Sequence, residues 1–471
     1  MRVAVLGAGL SGLTVAKRLA ESGMDVEVFE IQNQAGGLAK TLRHGGFTVD
    51  LGPHRFHSKD KKLVELVGEW INGNWQVLER RSRIYMAGRF FDYPLRVSNA
   101  ILTMPPVTSL QIMADYLKSA VTRRILPQAD VSFEDWVVNR FGRKLYEIYF
   151  KPYNEKLWRI PPNRMSADWA SQRISLLNLW DTIVKTVFKG GDEPRTYVSK
   201  FNYPVSGGIG SISAALKESV EKSGGKVYLD ANVKSIERNK EEDAVTGITY
   251  QYEGREHSAK YDLIVSSIPV TSLIRLLSPK PPEWILKKNN KLKFKALIFY
   301  YVVVGGKTIS DDHWVYIPQK NLIFNRISEP RNFSRNNVPA ERNIVCAEIS
   351  CDVGDDIWHM PEEKMRESVV AGLEELGFMK ADEVLECFSH REPHAYPVYD
   401  LGYKINLNHL KKYLSGYGNL ISLGRNGLFT YDNMDHSVIM GLKAADAVIG
   451  SDFREAKKVV EEIARDEEYF G

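Results

Sequence analysis

The stretch Arg2–Glu30, RVAVLGAGLSGLTVAKRLAESGMDVEVFE, decides the fold of this chain. It begins with a short apolar run, Arg2–Leu6, passes through a glycine-rich turn into residues with helical spacing, and ends with a second apolar run, Asp25–Phe29. This order predicts a strand, a tight turn, a helix and a second strand parallel to the first. The N-terminus is therefore expected to open an α/β domain with a parallel sheet.

Three glycines in the turn, Gly7, Gly9 and Gly12, match the spacing G-x-G-x-x-G. The first glycine makes the tight turn, the second lets a pyrophosphate approach the backbone, and the third lets the helix pack closely on the strand. The helix N-terminus offers unpaired N–H groups to the phosphates. Glu30 follows about 20 residues later, where a carboxylate can accept hydrogen bonds from ribose hydroxyls. The pattern predicts a dinucleotide site.

The chain after Glu30 reads IQNQAGGLAKT, with Gly36 and Gly37 ahead of Leu38. This second glycine pair resembles the extended motif of FAD enzymes of the glutathione-reductase type, so we expect FAD rather than NAD. Three later segments are expected to be returning strands of such a domain, with ordinary surface-facing strands as the alternative: Lys226–Leu229, Val233–Ile236 and Tyr261–Pro269.

The bulk properties exclude several classes of protein. A chain of 471 residues predicts two or three domains, and 44% apolar with 26% charged residues is ordinary for a globular protein. A net charge of +4 without a long Lys/Arg run argues against a dedicated nucleic-acid binder but is compatible with a mildly basic cleft for an anion. The three cysteines, which form no C-x-x-C pair, are expected to be buried thiols in a reducing cytoplasm.

No uncharged apolar run reaches about 18 residues, so no transmembrane helix is predicted. The fairly apolar segment Ala100–Ile125 contains Pro105, Pro106, Asp115 and Lys118. We interpret it as helices of an inserted domain, with a membrane-surface role as the alternative.

The FAD-type segments are dispersed along the chain, which predicts a discontinuous Rossmann-type FAD-binding domain of the glutathione-reductase type. A helical domain is expected to be inserted in it, together with an antiparallel sheet domain for the substrate. The expected ranges are 1–80, 205–290 and 415–450 for the FAD-binding domain, 98–190 for the helical domain, 81–97 and 291–414 for the sheet domain, and 451–471 for a charged C-terminal helix with a solvated face.

Arg173, Arg326 and Arg425 lie in apolar or strand-like settings, in WASQRIS, IFNRIS and GRNG. An unpaired buried charge is costly, so such arginines need an anionic partner. A planar guanidinium suits a substrate phosphate, and the alternative is an ion pair with Asp or Glu.

Several tyrosines beside loops or strand ends are further candidates, because their hydroxyl groups can donate to phosphate oxygens, although aromatic residues are common in cores. His54 lies in the loop LGPHRFHSKD, where a structural role is the alternative. No metal-ligand spacing, H-E-x-x-H, G-x-S-x-G or P-loop occurs, so no metal site, hydrolase or NTPase is predicted.

Together these segments resemble the UDP-galactopyranose mutases, a family of flavoenzymes. GPHRFHSKD is similar to the family's GPHIFHT loop, and FDYPLR to its YPF segment. YNEKLWRIPPNRMSADWASQRI, WVYIPQKNLIFNRISEPRNFS, HAYPVY and GRNGLFTYDNMDHSVIMGLKAAD match further family motifs in the same order. The protoporphyrinogen oxidases and amine oxidases share the FAD core and form the wider group that the chain resembles.

The resemblance implies roles for individual residues. His54 would face the flavin, while Arg173 and Arg326 would hold the substrate diphosphate, and these three form the expected catalytic set. The expected substrate-binding set is Tyr93, Arg96, Asn154, Trp158, Tyr316, Tyr396 and Tyr431. The expected cofactor-binding set is Gly7, Gly9, Leu10, Ser11, Gly12, Glu30, Gly37, Leu38, Gly52, Pro53, Val233, Gly424, Arg425, Asn433, Met434, Asp435 and Ser437.

One departure concerns the carrier group of the substrate. The family reads uracil with an amide where this chain has Arg96, and a guanidinium can only donate hydrogen bonds. The base can therefore differ, or the carrier can be another diphosphate or a lipid phosphate.

The resemblance implies a ring contraction from pyranose to furanose through an adduct at N5 of reduced FAD, without net redox change. NAD(P)H is a candidate reductant, and a cytoplasmic enzyme that forms a homo-oligomer is expected. The alternatives are an FAD-dependent oxidase or desaturase and a non-catalytic flavin-binding protein.

Overall fold

The computed structural model describes residues 1–86, 88–93, 104–126, 128–173, 199–239, 243–306 and 308–465, with the side chains of residues 172 and 173 excepted. In chain order the strands are β1 Arg2–Leu6, β2 Asp25–Phe29, β3 Thr41–His44, β4 Phe47–Asp50, β5 Trp75–Glu79, β6 Ser82–Met86, β7 Arg89–Asp92, β8 Lys200–Pro204, β9 Lys226–Tyr228, β10 Asn232–Asn239, β11 Ala244–Tyr252, β12 Arg255–Lys260, β13 Leu263–Ser266, β14 Leu277–Ser278, β15 Phe294–Gly305, β16 Trp314–Tyr316, β17 Arg326–Ser328, β18 Arg342–Cys351, β19 Val384–Pro397 and β20 Leu420–Ser422.

The α-helices are α1 Leu10–Glu21, α2 Lys61–Trp70, α3 Pro106–Ile125, α4 Phe133–Phe141, α5 Arg143–Leu145, α6 Lys151–Trp158, α7 Ala167–Arg173, α8 Ser211–Lys222, α9 Val270–Leu276, α10 Glu283–Asn289, α11 Pro330–Phe333, α12 Glu362–Glu375, α13 Tyr403–Ser415, α14 Gly424–Leu428, α15 Met434–Ile449 and α16 Phe453–Arg465. A π-helical turn, Tyr146–Phe150, joins α5 to α6. Within the described ranges, no helix is long and apolar enough to cross a bilayer.

A five-stranded parallel sheet carries the N-terminal motif, in the order β20-β13-β1-β2-β9. Its strands come from the beginning, the middle and the end of the chain. Val3 and Val5 of β1 face a core that includes residues of α1, α8 and α15, whereas Ala4 and Leu6 face a second core on the other side. Burial on both faces explains why β1 is a continuous apolar run rather than an alternating one.

A seven-stranded sheet has the order β19-β15-β18-β17-β16-β6-β7. Most of its pairs are antiparallel, but β6 and β16 run parallel, so this sheet is mixed rather than purely antiparallel as the sequence predicted. The two strands are more than 200 residues apart in the chain, and only a short hairpin connection forces neighbouring strands to be antiparallel. β3 and β4 form a separate two-stranded ribbon that leads into the loop containing His54.

Strand β10, which contains Val233, was expected among the returning strands of the FAD-type domain. It lies in a separate four-stranded sheet, β12-β11-β10-β14. The C-terminal helix α16 buries Ala456, Val460 and Ile463 in the core shared with α15. Its apolar residues recur at helical spacing, so one face packs while the charged face stays in water.

Candidate active site

The glycine turn between β1 and α1 has the geometry of a phosphate cradle. Gly7 adopts φ +95°, and a Cβ on Gly12 would lie 2.1 Å from the carbonyl oxygen of Gly7. A Cβ on Gly9, in contrast, would meet no atom within 4 Å. Gly7 and Gly12 are therefore required by the fold, whereas the space in front of Gly9 can admit a ligand. Leu10 and Ser11 form the first turn of α1 at this point.

The carboxylate of Glu30 lies at the end of β2, directly beside this cradle. One oxygen accepts a hydrogen bond from the backbone N–H of Ala8 at 2.8 Å, and the other accepts one from Gln32 at 3.0 Å. Burial raises the pKa of Glu30, and the two backbone donors oppose that shift. The carboxylate thus holds the glycine turn in place and still has acceptor capacity for a ribose hydroxyl.

The second glycine pair brings the chain back to the first. Gly36 and Gly37 have φ values of +123° and +56°, which favour glycine, and Gly36 forms a bridge with Gly9. Leu38 lies in the short 3-10 turn that follows, Gly37–Ala39, and remains partly accessible. These residues border the open side of the cradle, as a dinucleotide site requires.

The loop containing His54 leaves β4 through Gly52, which adopts φ +76°. A Cβ on Gly52 would lie 2.8 Å from a carboxylate oxygen of Glu348, so the loop and β18 are in close contact. Pro53 is buried, and His54 is partly buried. Burial, followed by the charges of Arg425 and Arg326, lowers the pKa of His54 to about 3. His54 is therefore neutral at physiological pH.

Arg326 already has a carboxylate partner in the protein. Its Nε and Nη2 donate to the two oxygens of Glu348 at 2.5 and 2.6 Å, because β17 and β18 place these residues opposite each other. Burial alone would lower the pKa of Arg326, but the Glu348 carboxylate raises it well above its usual value. Glu348 is fully buried, so the pair is an internal one and only the Nη1 side of Arg326 remains for a ligand.

Arg425, in contrast, has no carboxylate partner among the described residues. Its guanidinium lies over the rings of Tyr431 and Tyr396, at 4.3 and 5.1 Å from their centroids. Its Nε and Nη2 are buried without a hydrogen-bond acceptor in the described structure. A buried, unsatisfied guanidinium is costly and indicates that an acceptor outside the protein belongs here.

Tyr396 and Tyr431 are part of a larger aromatic wall. Their rings stack at 5.1 Å, and Tyr431 packs edge-on against Trp169 at 4.6 Å. Trp158 packs against Trp169 at 4.7 Å and is almost completely buried. Asn154 lies behind this wall, where its amide oxygen accepts from the Trp169 indole at 3.2 Å. The other side of the Asn154 amide donates to a backbone carbonyl, so this residue holds the wall in place.

A second aromatic group surrounds Tyr316. Its ring lies 4.7 Å from Tyr93 and 5.5 Å from Tyr153, and the Arg326 guanidinium lies 6.0 Å from its centroid. Tyr149 and Tyr153 come from the π-helical turn and the start of α6. Single π-helical turns are frequent at functional sites because they shift side chains relative to a regular helix.

The C-terminal motif closes the site from the side of α15. Gly424 has φ +76°, and a Cβ there would lie 2.6 Å from Oγ of Ser11, which brings this segment against the cradle. Asn433 is the N-cap of α15, and Asp435 is buried in its first turn. Met434 and Ser437 lie in the same first turns and are partly accessible.

Most of the predicted site residues thus converge on one region, and two arginines lie outside what the structure describes. Arg96 lies outside the described residues, and Arg173 ends α7 with a side chain outside the described part. Val233 lies on β10, two residues after Ala231, whose N–H donates to the backbone carbonyl of Glu30 at 2.8 Å, so its role as a cofactor contact stays a prediction. The fully described part of the chain contains no group of three or more His, Cys, Asp or Glu side chains able to hold a metal ion.

The structure adds functional candidates that the sequence motifs do not indicate. Arg55 and Arg80 both lie over the ring of Trp314, each 4.9 Å from its centroid. Two further candidates are Tyr153 and Glu348, the latter being the ion-pair partner of Arg326. The sequence held one indication of Arg55, because it is a charged residue inside the Gly-Pro loop that carries His54. The contacts of all four residues depend on how the strands are paired, which the sequence does not reveal.

Known proteins share this fold and parts of this sequence. The family model for flavin-containing amine oxidoreductases matches residues 10–419. A probable UDP-galactopyranose mutase of Klebsiella pneumoniae is 25% identical over 195 residues, which cover 40% of this chain and 49% of that protein. A 4,4'-diapophytoene desaturase of Staphylococcus aureus is 29% identical over 190 residues, covering 39% of this chain and 34% of that protein. The matches thus span half or less of these relatives.

Two solved structures extend the likeness over nearly the whole chain. A reduced UDP-galactopyranose mutase superposes with a TM-score of 0.84 at 24% identity, covering 98% of this chain and 96% of the other. A putrescine oxidase bound to putrescine superposes with a TM-score of 0.64 at 16% identity, covering 95% and 99%. These structures share the fold, and the family match covers well over half of the sequence. The chain belongs to the flavin-containing amine oxidoreductase family.

Proposed function

We propose that this protein is an FAD-dependent mutase that interconverts the pyranose and furanose forms of a diphosphate-activated sugar. The observation that carries the proposal is Arg425, a cation without a carboxylate partner in the described structure, held over Tyr396 and Tyr431 next to His54. Such a site attracts an anionic substrate and repels an ammonium group.

The residues of the cradle fit the cofactor that the family uses. Gly9 leaves the approach to the backbone open, Glu30 can accept from a ribose hydroxyl, and the N-terminus of α1 can face the pyrophosphate. Reduced FAD would supply a nucleophile and take no electrons from the sugar over a full turnover. The protein then has to bind the substrate, orient it and exclude water.

The protein side of the reaction rests on charge and shape. Arg425, which the resemblance placed among the cofactor contacts, here binds the substrate phosphate together with the free Nη1 side of Arg326, and tyrosine hydroxyl groups add further donors. His54 stays neutral and adds no positive charge to the centre of the site. The buried wall of Trp158 and Trp169 excludes water on one side. No acid–base pair is required, which agrees with the internal pairing of Glu348.

An FAD-dependent oxidoreductase is the second candidate, because the family and the partial similarity to the desaturase favour it. The two functions differ in electron balance. An oxidase or desaturase consumes one equivalent of an electron acceptor for each product, whereas a mutase requires only that its flavin be reduced beforehand.

The decisive experiment uses the purified holoenzyme under anaerobic conditions. The flavin is reduced with dithionite and incubated with a panel of UDP-, GDP-, CDP- and dTDP-sugars, and the products are analysed by chromatography and NMR. We expect furanose product only with the reduced enzyme and no acceptor consumption. Stoichiometric acceptor consumption with an amine or a polyisoprenoid, without furanose from any sugar, would contradict the proposal.

A matched pair of variants tests the role of Arg425. Arg425→Met removes the cation and should raise the KM for the sugar diphosphate about 10-fold or more, as expected for the loss of a charge-assisted hydrogen bond. Arg124→Met removes an exposed arginine of α3 and should leave KM unchanged. FAD content is measured for both variants by absorbance, so that lost cofactor is not mistaken for lost substrate binding.

A further inference from the structure

We propose that Arg55, beside Arg80 on the ring of Trp314, forms an anion subsite that recognises the carrier end of the substrate through its phosphate charge rather than through a base edge. This inference rests on the proposed function for the identity of the substrate. The subsite would recognise the part of the substrate that is remote from the reacting sugar.

Arg55 has an unusual environment for an arginine. It is only partly accessible, yet its guanidinium forms no ion pair or hydrogen bond with any other described residue, and its Nε is fully enclosed. Its contact is with the Trp314 ring, whose face also receives Arg80. Burial, followed by the charge of Arg80, lowers the pKa of Arg55 to about 10, so it remains a cation at physiological pH.

The surroundings of Arg55 are polar and aromatic. Tyr316 and Tyr93 raise its pKa, whereas Arg80 and Arg326 lower it. Arg326 is neutralised by Glu348, whereas the described structure provides no counter-charge for Arg55. Two guanidinium groups on one indole repel each other, and an anion between or beside them removes that repulsion.

The hydrogen-bond donors of this subsite determine which part of a substrate it can recognise. Guanidinium groups only donate hydrogen bonds, so this subsite can bind phosphate oxygens but cannot match the alternating donors and acceptors of a base edge. The enzyme is therefore expected to bind diphosphates of different nucleosides with similar affinity. A neutral nucleoside without phosphate should bind much more weakly.

The test measures ligand binding to the oxidised holoenzyme by thermal unfolding at fixed ionic strength, with inorganic pyrophosphate, UDP, ADP and uridine as probes. Wild type should be stabilised by pyrophosphate, UDP and ADP but not by uridine. Arg55→Met should bind pyrophosphate about 10- to 100-fold more weakly, the range expected for a charge-assisted contact. Arg55→Lys keeps the positive charge and should lose less affinity for pyrophosphate than Arg55→Met.

Arg124→Met is the matched control and should bind pyrophosphate like wild type. Arg55→Met should fold and retain FAD, because methionine can pack on Trp314 and the variant loses an unpaired buried charge. Equal pyrophosphate binding by wild type and Arg55→Met, or no stabilisation of wild type, would overturn the subsite. A tighter response to UDP than to ADP that survives in Arg55→Met would instead show base recognition and also overturn it.

These outcomes are independent of turnover. If no sugar is isomerised but pyrophosphate binding still depends on Arg55, the proposed function fails and the subsite stands. If furanose forms while Arg55→Met binds pyrophosphate like wild type, the proposed function stands and the subsite fails.

Discussion

Replacing Glu348 with glutamine tests how much of the site depends on the internal ion pair. The substitution keeps the shape of the side chain but removes the charge that faces Arg326, whose Nε and Nη2 lie 2.5 and 2.6 Å from the carboxylate oxygens. With charge centres about 4 Å apart, an effective dielectric constant near 20 gives about 4 kcal/mol of attraction. Breaking a buried pair by removing one partner costs about 3–5 kcal/mol, in agreement with that figure.

The expected result has two parts. Glu348→Gln should lower the free energy of unfolding by about 3–5 kcal/mol, as measured by urea denaturation of the ligand-free holoenzyme. Because Arg326 then carries an uncompensated charge, a given concentration of pyrophosphate should stabilise this variant more than it stabilises wild type. A double variant, Arg326→Met with Glu348→Leu, should regain most of the lost stability, since apolar replacement of a buried pair is often neutral or stabilising.

A Glu348→Gln variant whose unfolding free energy stays within about 1 kcal/mol of wild type, the value typical of an exposed pair, would show that the pair does not act as a buried one. A pyrophosphate response that stays unchanged would separately show that Arg326 does not reach the anion. Urea curves and ligand titrations on the same preparations distinguish the two failures.

Three further predictions concern the cradle, the buried carboxylate and the histidine. Gly9→Ala should leave the thermal stability of the apoprotein unchanged but weaken FAD binding. Gly12→Ala should destabilise the apoprotein itself, because the new Cβ would lie 2.1 Å from the carbonyl oxygen of Gly7. Calorimetry of the apoprotein and FAD titration distinguish the two effects. Burial raises the pKa of Asp50 from 3.8 to about 6, so its contribution to stability is fully present below pH 4 and falls by about 3 kcal/mol as the pH rises through 6. Asp50→Asn should remove that pH dependence from urea unfolding curves. His54 should show no protonation between pH 5 and 9 in NMR titrations, and a pKa above 5 would contradict the burial inferred for it.

The cradle could be predicted from the sequence because its physics is local. Gly7, Gly9, Gly12 and Glu30 act within one βαβ unit, where the spacing along the chain fixes the spacing in space. The family membership of the chain, with its flavin chemistry, agrees with that expectation. The local pattern of apolar residues also predicted β1, α1 and β2.

The state of the arginines could not be predicted in the same way. Arg326 pairs with Glu348 because β17 and β18 are antiparallel in one particular register, and 22 residues separate the two side chains in the chain. The sequence left open whether such arginines meet a ligand or a carboxylate, and the structure gives Arg326 a carboxylate. Asn154 likewise has its amide engaged by Trp169, a contact that requires α6 and α7 to be packed together.

The charges of the site support the substrate class that we propose. Arg55 and Arg425 have no carboxylate partner in the described part of the chain, whereas Arg326 has one. A diphosphate diester carries two negative charges, which two unpartnered guanidinium groups would neutralise. An ammonium substrate about 5 Å from either arginine would be repelled by about 3 kcal/mol at an effective dielectric constant of 20. A neutral polyisoprenoid would leave both buried charges without an acceptor, which is costly. On the proposed function, these two arginines therefore select against amines and hydrocarbons.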